Sequence, residues 1–260
     1  MSTPEGSVRL RVAQGVASVE FDRPQARNAM TWAMYEQLVA HCEQLAHEPA
    51  VRVATFRGAG GQAFVAGTDI AQFAAFRDGD DGVGYERQID RCIGLIEALP
   101  MPTVAVVEGW AVGGGLAIAA ACDFRIATRG ARFGVPIART LGNCLSMANL
   151  ARLSSAFGAQ RVKRMLLRAE LIDADEAMAC GFLQQTCAAD AIDDCAASWC
   201  AELSSLAPVT QRVSKEGLRR LAVGSLPDGE DLIRQCYASA DFHEGVDAFV
   251  HRRPPTWQGR

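Results

Sequence analysis

Ala66-Gly67-Thr68-Asp69-Ile70 and, further along, Val112-Gly113-Gly114-Gly115-Leu116 are the two stretches from which this chain is best read. Each sets glycine before the start of a helix, where the first backbone N–H groups have no intrahelical acceptor and the helix dipole adds a partial positive charge. Two such groups can hold one developing negative charge. A carbonyl oxygen becoming an oxyanion or enolate needs donors about 2.7–3.1 Å away, fixed before reaction. The N–H groups of Thr68 and Gly114 are the candidates. The same glycines would also serve close packing of a helix on a strand, and spacing alone leaves both readings open. A phosphate-binding P-loop is excluded, because no Lys-Ser or Lys-Thr follows the glycines and the spacing is not G-x-G-x-x-G.

Outward from these stretches, strand and helix signals alternate. Val8–Val12 and Val16–Phe21 alternate around Gln14-Gly15 as a hairpin would. Thr31 is placed to cap a helix running to about His47, with Met34, Leu38, Val39, Cys42 and Leu45 at helical spacing. Val51–Phe56 reads as a buried strand, Gly58–Gly61 as a turn, and Thr68 and Asp69 as the start of a helix over Ile70–Phe76. Asp78–Gly82 reads as a polar loop before a helix over Tyr85–Leu99, which ends at Pro100-Met101-Pro102. The apolar strand Thr103–Val107 then delivers the chain to the triple glycine, and Phe124–Thr128 is a further strand. Strand, glycine turn and helix thus occur twice. A strand-strand-helix organisation is expected, followed by a helical remainder, with no low-complexity linker to divide it.

Composition bounds the function. With 260 residues, 49% hydrophobic and 22% charged, the chain can bury a large core. A net charge of −4 gives no general nucleic-acid footprint, although Arg161, Lys163, Arg164, Arg168 and Arg212, Lys215, Arg219, Arg220 form local basic runs. Nine cysteines without a C-x-x-C pair argue against a disulfide framework or a zinc site. Scattered thiols, a polar Met1–Ser7 without signal-peptide anatomy, and the absence of a membrane span lead to the expectation of a cytoplasmic protein without a metal.

Phe64–Ile70, Glu108–Gly115 and Cys122-Asp123 together resemble the crotonase, or enoyl-CoA hydratase/isomerase, superfamily. Asp22-Arg23-Pro24 with Asn28-Ala29-Met30 resembles its early coenzyme A-binding loop, Phe133-Gly134-Val135-Pro136 its second active-site loop, and Ala248–Arg260 its C-terminal tail. The resemblance covers nearly the whole chain. It implies an α/β fold, a spiral of ββα repeats over residues 1–195, with a C-terminal helical trimerisation region over 196–260. It also implies an acyl-CoA substrate, coenzyme A entering only as part of it, and a homotrimer or a hexamer of stacked trimers. By motif position, Thr68 and Gly114 supply the oxyanion N–H groups, while backbone at Ala26, Ala66 and Ile70 lines the adenine and pantetheine path. Arg23 or Arg27 would meet the phosphates, and Arg252 or Arg253 a neighbouring subunit's nucleotide.

The pattern breaks where protons move. Hydratases of this superfamily carry one glutamate three residues after the middle glycine and another just after the Phe-Gly-x-Pro segment. Here those positions hold Ala117 and Ile137, which transfer no proton. General acid–base groups contribute roughly 10²–10⁴-fold each, so ordinary hydration should be severely weakened. Arg139, Thr140, Asn143, Cys144 and Ser146 lie where related dehalogenases place a nucleophilic aspartate. Cys144 is a possible nucleophile or a buried structural thiol; Asn143 a residue for positioning water or an enolate, or for holding its loop; Asp69 a helix start more than an acid. Three readings follow: an acyl-CoA enzyme using another group or a carboxylate brought by substrate or bicarbonate, a catalytically silent acyl-CoA binding protein, or an RNA-binding relative.

Overall fold

Alternating Val8–Val12 and Val16–Phe21 form β1 (Ser7–Ala13) and β2 (Val16–Asp22), an antiparallel hairpin in which Arg9 faces Glu20 and Val12 faces Ala17. The computed structural model describes residues 6–222 and 230–256, so the N-terminal reading over Met1–Glu5 and the tail reading over Trp257–Arg260 lie outside the described residues. Thr31 accepts the Met34 N–H at 3.2 Å and starts α1 (Trp32–Ala46) as its spacing requires. Next come β3 (Val53–Gly58), β4 (Ala63–Ala66), α2 (Gly79–Glu97), β5 (Thr103–Val107), β6 (Trp110–Val112) and α3 (Gly114–Ala121). They are followed by β7 (Phe124–Thr128), β8 (Arg132–Gly134), α4 (Ile137–Thr140), α5 (Met147–Phe157) and α6 (Ala159–Leu167). β9 (Leu171–Asp173), α7 (Ala174–Ala179), β10 (Gln185–Cys187), α8 (Ile192–Ser205), α9 (Pro208–Ala222), α10 (Glu230–Tyr237) and α11 (Ala240–Val250) complete the order.

From β3 to β8, each repeat sends its first strand to one sheet and its second to another. The larger sheet runs β1-β2-β3-β5-β7-β10 and the smaller β4-β6-β8-β9, so the chain spirals between them, turn after turn. Helices fill the space between turns. Phe21, Phe56, Phe64, Leu116, Ile118 and Phe133 belong to one continuous core. A second core, with Val53, Val104 and Ile126 from the sheet, packs under Ile192, Cys200 and Leu203 of α8.

Several expectations are corrected. Asp78–Gly82 is the first turn of α2, not a loop: Asp78 accepts the Asp80 and Asp81 N–H groups, and the Asp81 carboxylate returns a bond to the Asp78 N–H, a capping box. The segment after Asp69 is a 3₁₀ helix, Ile70–Ala75. A division at residue 195 would fall inside α8, whose buried face belongs to the sheet. Cys187 and Cys195, eight residues apart at the β10–α8 junction, are joined as a disulfide; Cys42, Cys92, Cys122, Cys144, Cys180, Cys200 and Cys236 are free thiols.

The last helices return to the front of the molecule. α10 lies against the start of α2, where a Cβ on Gly82 would collide with the Tyr237 ring, so only glycine admits the contact. Phe73, Phe76, Tyr85, Tyr237 and Phe242 meet there in an aromatic cluster, with ring centroids 4.7 Å apart for Tyr237–Phe242 and 4.9 Å for Phe73–Tyr85.

Candidate active site

Pairing of β4 with β6 sets Ala66 opposite Val112 and so brings the two glycine stretches to the same edge. Beyond β4, the Met30 N–H donates to Gly67 O at 2.9 Å and the Asp69 N–H to Met30 O at 2.8 Å. The Thr68 N–H points away from that pairing. Beyond β6, Gly113 turns the chain at φ +56°, ψ −125°, a conformation only glycine takes without strain. Its own N–H donates to Gly134 O at 3.0 Å, and its carbonyl accepts the Leu116 and Ala117 N–H groups. Gly114, first residue of α3, therefore keeps an uncommitted N–H at the helix mouth. Among the described residues neither the Thr68 nor the Gly114 N–H has an acceptor.

Hydroxyls surround these amides. Thr68 Oγ1 lies 2.8 Å from the Tyr35 hydroxyl and 2.9 Å from the Tyr85 hydroxyl. A Cβ on Gly114 would stand 2.7 Å from the Tyr35 oxygen and 3.5 Å from Thr68 Oγ1, which fixes how close both donors lie to the cluster. Burial raises the Tyr35 hydroxyl's pKa, and burial followed by the neighbouring Tyr35 raises that of Tyr85 well above the ordinary phenol value. Both remain protonated at neutral pH.

A second polar group sits behind the aromatic cluster. Glu86, 3% exposed, accepts the Tyr237 hydroxyl at 2.9 Å and the Ser146 N–H at 3.1 Å. Burial, against these two stabilising bonds, pushes its carboxyl up to about 8. Asn143 donates to the Tyr237 oxygen at 3.4 Å, while its own Oδ1 is buried without a partner. Ser146 also donates to Asp90 at 2.7 Å. The chain has three tyrosines, and all three meet here.

The structure sorts the residues expected from sequence. Ala117 is buried on α3 and Ile137 half-buried at the start of α4, so neither position offers a carboxylate. Arg23 is 5% exposed and donates to Asp69 Oδ2 at 2.8 Å and to Ala29 O at 3.1 Å, which removes it from any surface phosphate. Asp69 is committed to that ion pair and to the Ala71 N–H. Arg27 is exposed beside Ala26, and its carbonyl accepts the Ala66 N–H at 3.0 Å, so Ala26, Arg27 and Ala66 share a rim with Ile70 further along the same loop. Cys144 packs against the aromatic cluster, and its bond with Cys236 and burial push its thiol up, opposite to what a nucleophile needs. Arg253 is held by Glu244 and Asp247, whereas Arg252 is exposed. Sequence reasoning missed Tyr35, Tyr85, Glu86 and Tyr237; the rarity of tyrosine was the available signal.

Alternative sites are weaker. Arg161, Arg164 and Arg168 pair with Glu170 or Glu176, and Arg219 and Arg220 with Glu216, so the basic runs are largely neutralised. An open groove of ≈ 990 Å³ between the outer face of the large sheet and α8 holds Arg9 and Arg57, but these pair with Glu20, Asp22 and Glu108. Among the described residues, no three His, Cys, Asp or Glu side chains gather as a metal site, and no helix is long and apolar enough to cross a membrane.

Comparison with known proteins places this geometry. Residues 11–260 match the family model described as enoyl-CoA hydratase/isomerase. A probable enoyl-CoA hydratase of Mycobacterium leprae is 32% identical over 254 residues, covering 95% of this chain and 97% of that protein. An enoyl-CoA hydratase/carnithine racemase from Magnetospirillum magneticum superposes with a TM-score of 0.80 at 28% identity, over 100% of this chain and 97% of the other. A methylmalonyl-CoA decarboxylase in complex with 2-nitronate-propionyl-CoA superposes with a TM-score of 0.88 at 26% identity, over 97% and 98%.

Proposed function

The chain belongs to the enoyl-CoA hydratase/isomerase family, and from that premise we propose that it is an acyl-CoA enzyme that holds a thioester oxygen as it becomes an enolate, without ordinary hydratase activity. The uncommitted Thr68 and Gly114 N–H groups, in a chain whose positions 117 and 137 carry no acid, are the observation behind this reading. Two fixed donors at an oxyanion are worth about 10²–10³-fold each, and they act on any reaction that passes through a thioester enolate. Adding water to an enoyl thioester additionally needs a base for the water and an acid for the α-carbon. Neither is supplied by Ala117 or Ile137.

Decarboxylation of a 2-carboxyacyl-CoA fits the same site. Here the bond between the α-carbon and the carboxylate breaks, its electron pair passes into the enolate, carbon dioxide leaves, and one proton is later taken up. No base is required. Glutamates at 117 and 137 would repel the substrate carboxylate, by about 4 kcal/mol at 4 Å in a medium of effective dielectric 20, whereas alanine and isoleucine leave it unopposed and poorly solvated. The overlay with a methylmalonyl-CoA decarboxylase at a TM-score of 0.88 supports this second reading.

Purified protein mixed separately with crotonyl-CoA and methylmalonyl-CoA, with products identified by mass spectrometry, tests both. Release of carbon dioxide and formation of propionyl-CoA without 3-hydroxybutyryl-CoA is the expected result. Rapid hydration of crotonyl-CoA would overturn the reading. Tight coenzyme A binding with no turnover of any thioester would make the chain a binding protein.

A further inference from the structure

We propose that Tyr85 is the catalytic proton donor of this site, delivering its hydroxyl proton to the α-carbon of the thioester enolate. The inference rests on the enolate reading above and adds the group that ends the reaction. An enolate oxygen held by the Thr68 and Gly114 N–H groups places the α-carbon two bonds away. Its proton must come from side chains immediately around those amides. Ala117 and Ile137 have none to give, Asp69 is engaged with Arg23 and the Ala71 N–H, and Cys144 packs among the aromatic side chains toward Cys236. What stands at the amides is the hydroxyl cluster of Tyr35, Thr68 and Tyr85.

Proton counting singles out that cluster. Three hydroxyls carry three protons, shared within a closed triangle: Thr68 Oγ1 lies 2.8 and 2.9 Å from the two tyrosine oxygens, and Tyr35 and Tyr85 also bond each other. A proton given to an enolate therefore comes out of this triangle, breaking one of its bonds. Tyr35 is 1% exposed, with its hydroxyl against Gly114, whereas Tyr85 is half-buried. The Tyr85 ring is clamped at 5.5 Å from Trp32 and 4.9 Å from Phe73, which aims its hydroxyl without help from the proton it gives up. In the step itself the Tyr85 O–H bond breaks as the α-carbon–hydrogen bond forms, the enolate electron pair makes that bond, and the thioester carbonyl is restored. The phenolate oxygen, accepting from Thr68, regains a proton from water. Because the Tyr85 hydroxyl holds its proton far above neutral pH, the group acts as a donor and not as a resting base.

The test is the turnover of methylmalonyl-CoA in D₂O by wild type, Tyr85→Phe and Tyr35→Phe, reading both rate and the configuration of the deuterated propionyl-CoA. Phenylalanine keeps the clamped ring and removes one hydroxyl. Wild type should deliver deuterium to one face. Tyr85→Phe should fall at least 100-fold in kcat with KM changed less than threefold, and should give a mixture of both configurations because water then protonates the enolate. Tyr35→Phe should slow by less than tenfold with configuration kept. A Tyr85→Phe enzyme that keeps both rate and configuration, beside an active wild type, overturns the assignment of Tyr85 alone; a wild type that turns over no thioester overturns the enolate reading and this inference with it.

Discussion

Glu86 is a carboxyl that folding neutralises. Unfolded, it ionises near 4.5; folded, burial holds its proton up to about 8. Between those values the unfolded chain has lost a proton that the folded chain still binds, so stability falls as pH rises, by roughly 1 kcal/mol per unit for this group, and levels off above 8. Glutamine keeps the neutral shape. Urea midpoints at pH 5.5 and 8.5 should therefore drop clearly for wild type and less for Glu86→Gln; equal drops would show that Glu86 is ionised within the fold. At positions 117 and 137 the converse holds, since side chains that now bury no charge would gain one. The double variant Ala117→Glu with Ile137→Glu should hydrate crotonyl-CoA at least 100-fold faster than wild type, following the size of general acid–base contributions. A folded double variant that binds coenzyme A and does not hydrate would show that these two positions no longer face the thioester.

At the scale of elements, α2 depends on α10. Two glycines in its first turn each cost about 1 kcal/mol of helix propensity. The Asp78 cap and the close seat of α10 offset that cost. Gly82→Val should push Tyr237 outward, lower stability by about 1–3 kcal/mol as overpacking does, and reduce turnover with it. Unchanged thermal melting would mean that α10 is not seated there in solution. This junction also shows what local sequence conveys. The hairpin, α1 with its Thr31 cap, the apolar strand Thr103–Val107 and both glycine stretches follow from period and turn chemistry within a few residues. Asp78–Gly82 misleads because its composition is that of a loop, although Asp78 and Asp81 form a capping box there and Tyr237, from far along the chain, packs on Gly82. Arg23 misleads in the same manner: its partner Asp69 is 46 residues distant, and nothing around Pro24 announces that the guanidinium is buried. The uncommitted amides of Thr68 and Gly114 were legible because glycine and helix starts are local signals; the tyrosines, drawn from α1, α2 and α10, were not.

The molecule as a whole presents an unfinished surface. Leu206, Val209, Val213, Leu218 and Leu221 are exposed along α9 and the turn before it, with Leu221 82% exposed. Exposed apolar side chains of this kind mark an interaction surface, and interfaces that last bury about 1,200–2,000 Å². Light scattering should give an assembly of three or six chains, and Leu218→Asp with Leu221→Asp should reduce it to single chains; a wild type that is already monomeric would leave α9 without a partner copy. The path of the chain also orders events in time. The uncommitted amides of Thr68 and Gly114 lie within the first 114 residues, but Tyr237, which receives the Asn143 bond and donates to Glu86, comes from α10. On a ribosome adding about 5–20 residues per second, roughly ten seconds separate the two. A nascent chain that already carries both amides still has Glu86 open to water, charged, on a helix whose first turn has nothing resting on it. The two amides are therefore synthesised well before the interior around Glu86 can close, through a contact that spans 151 residues.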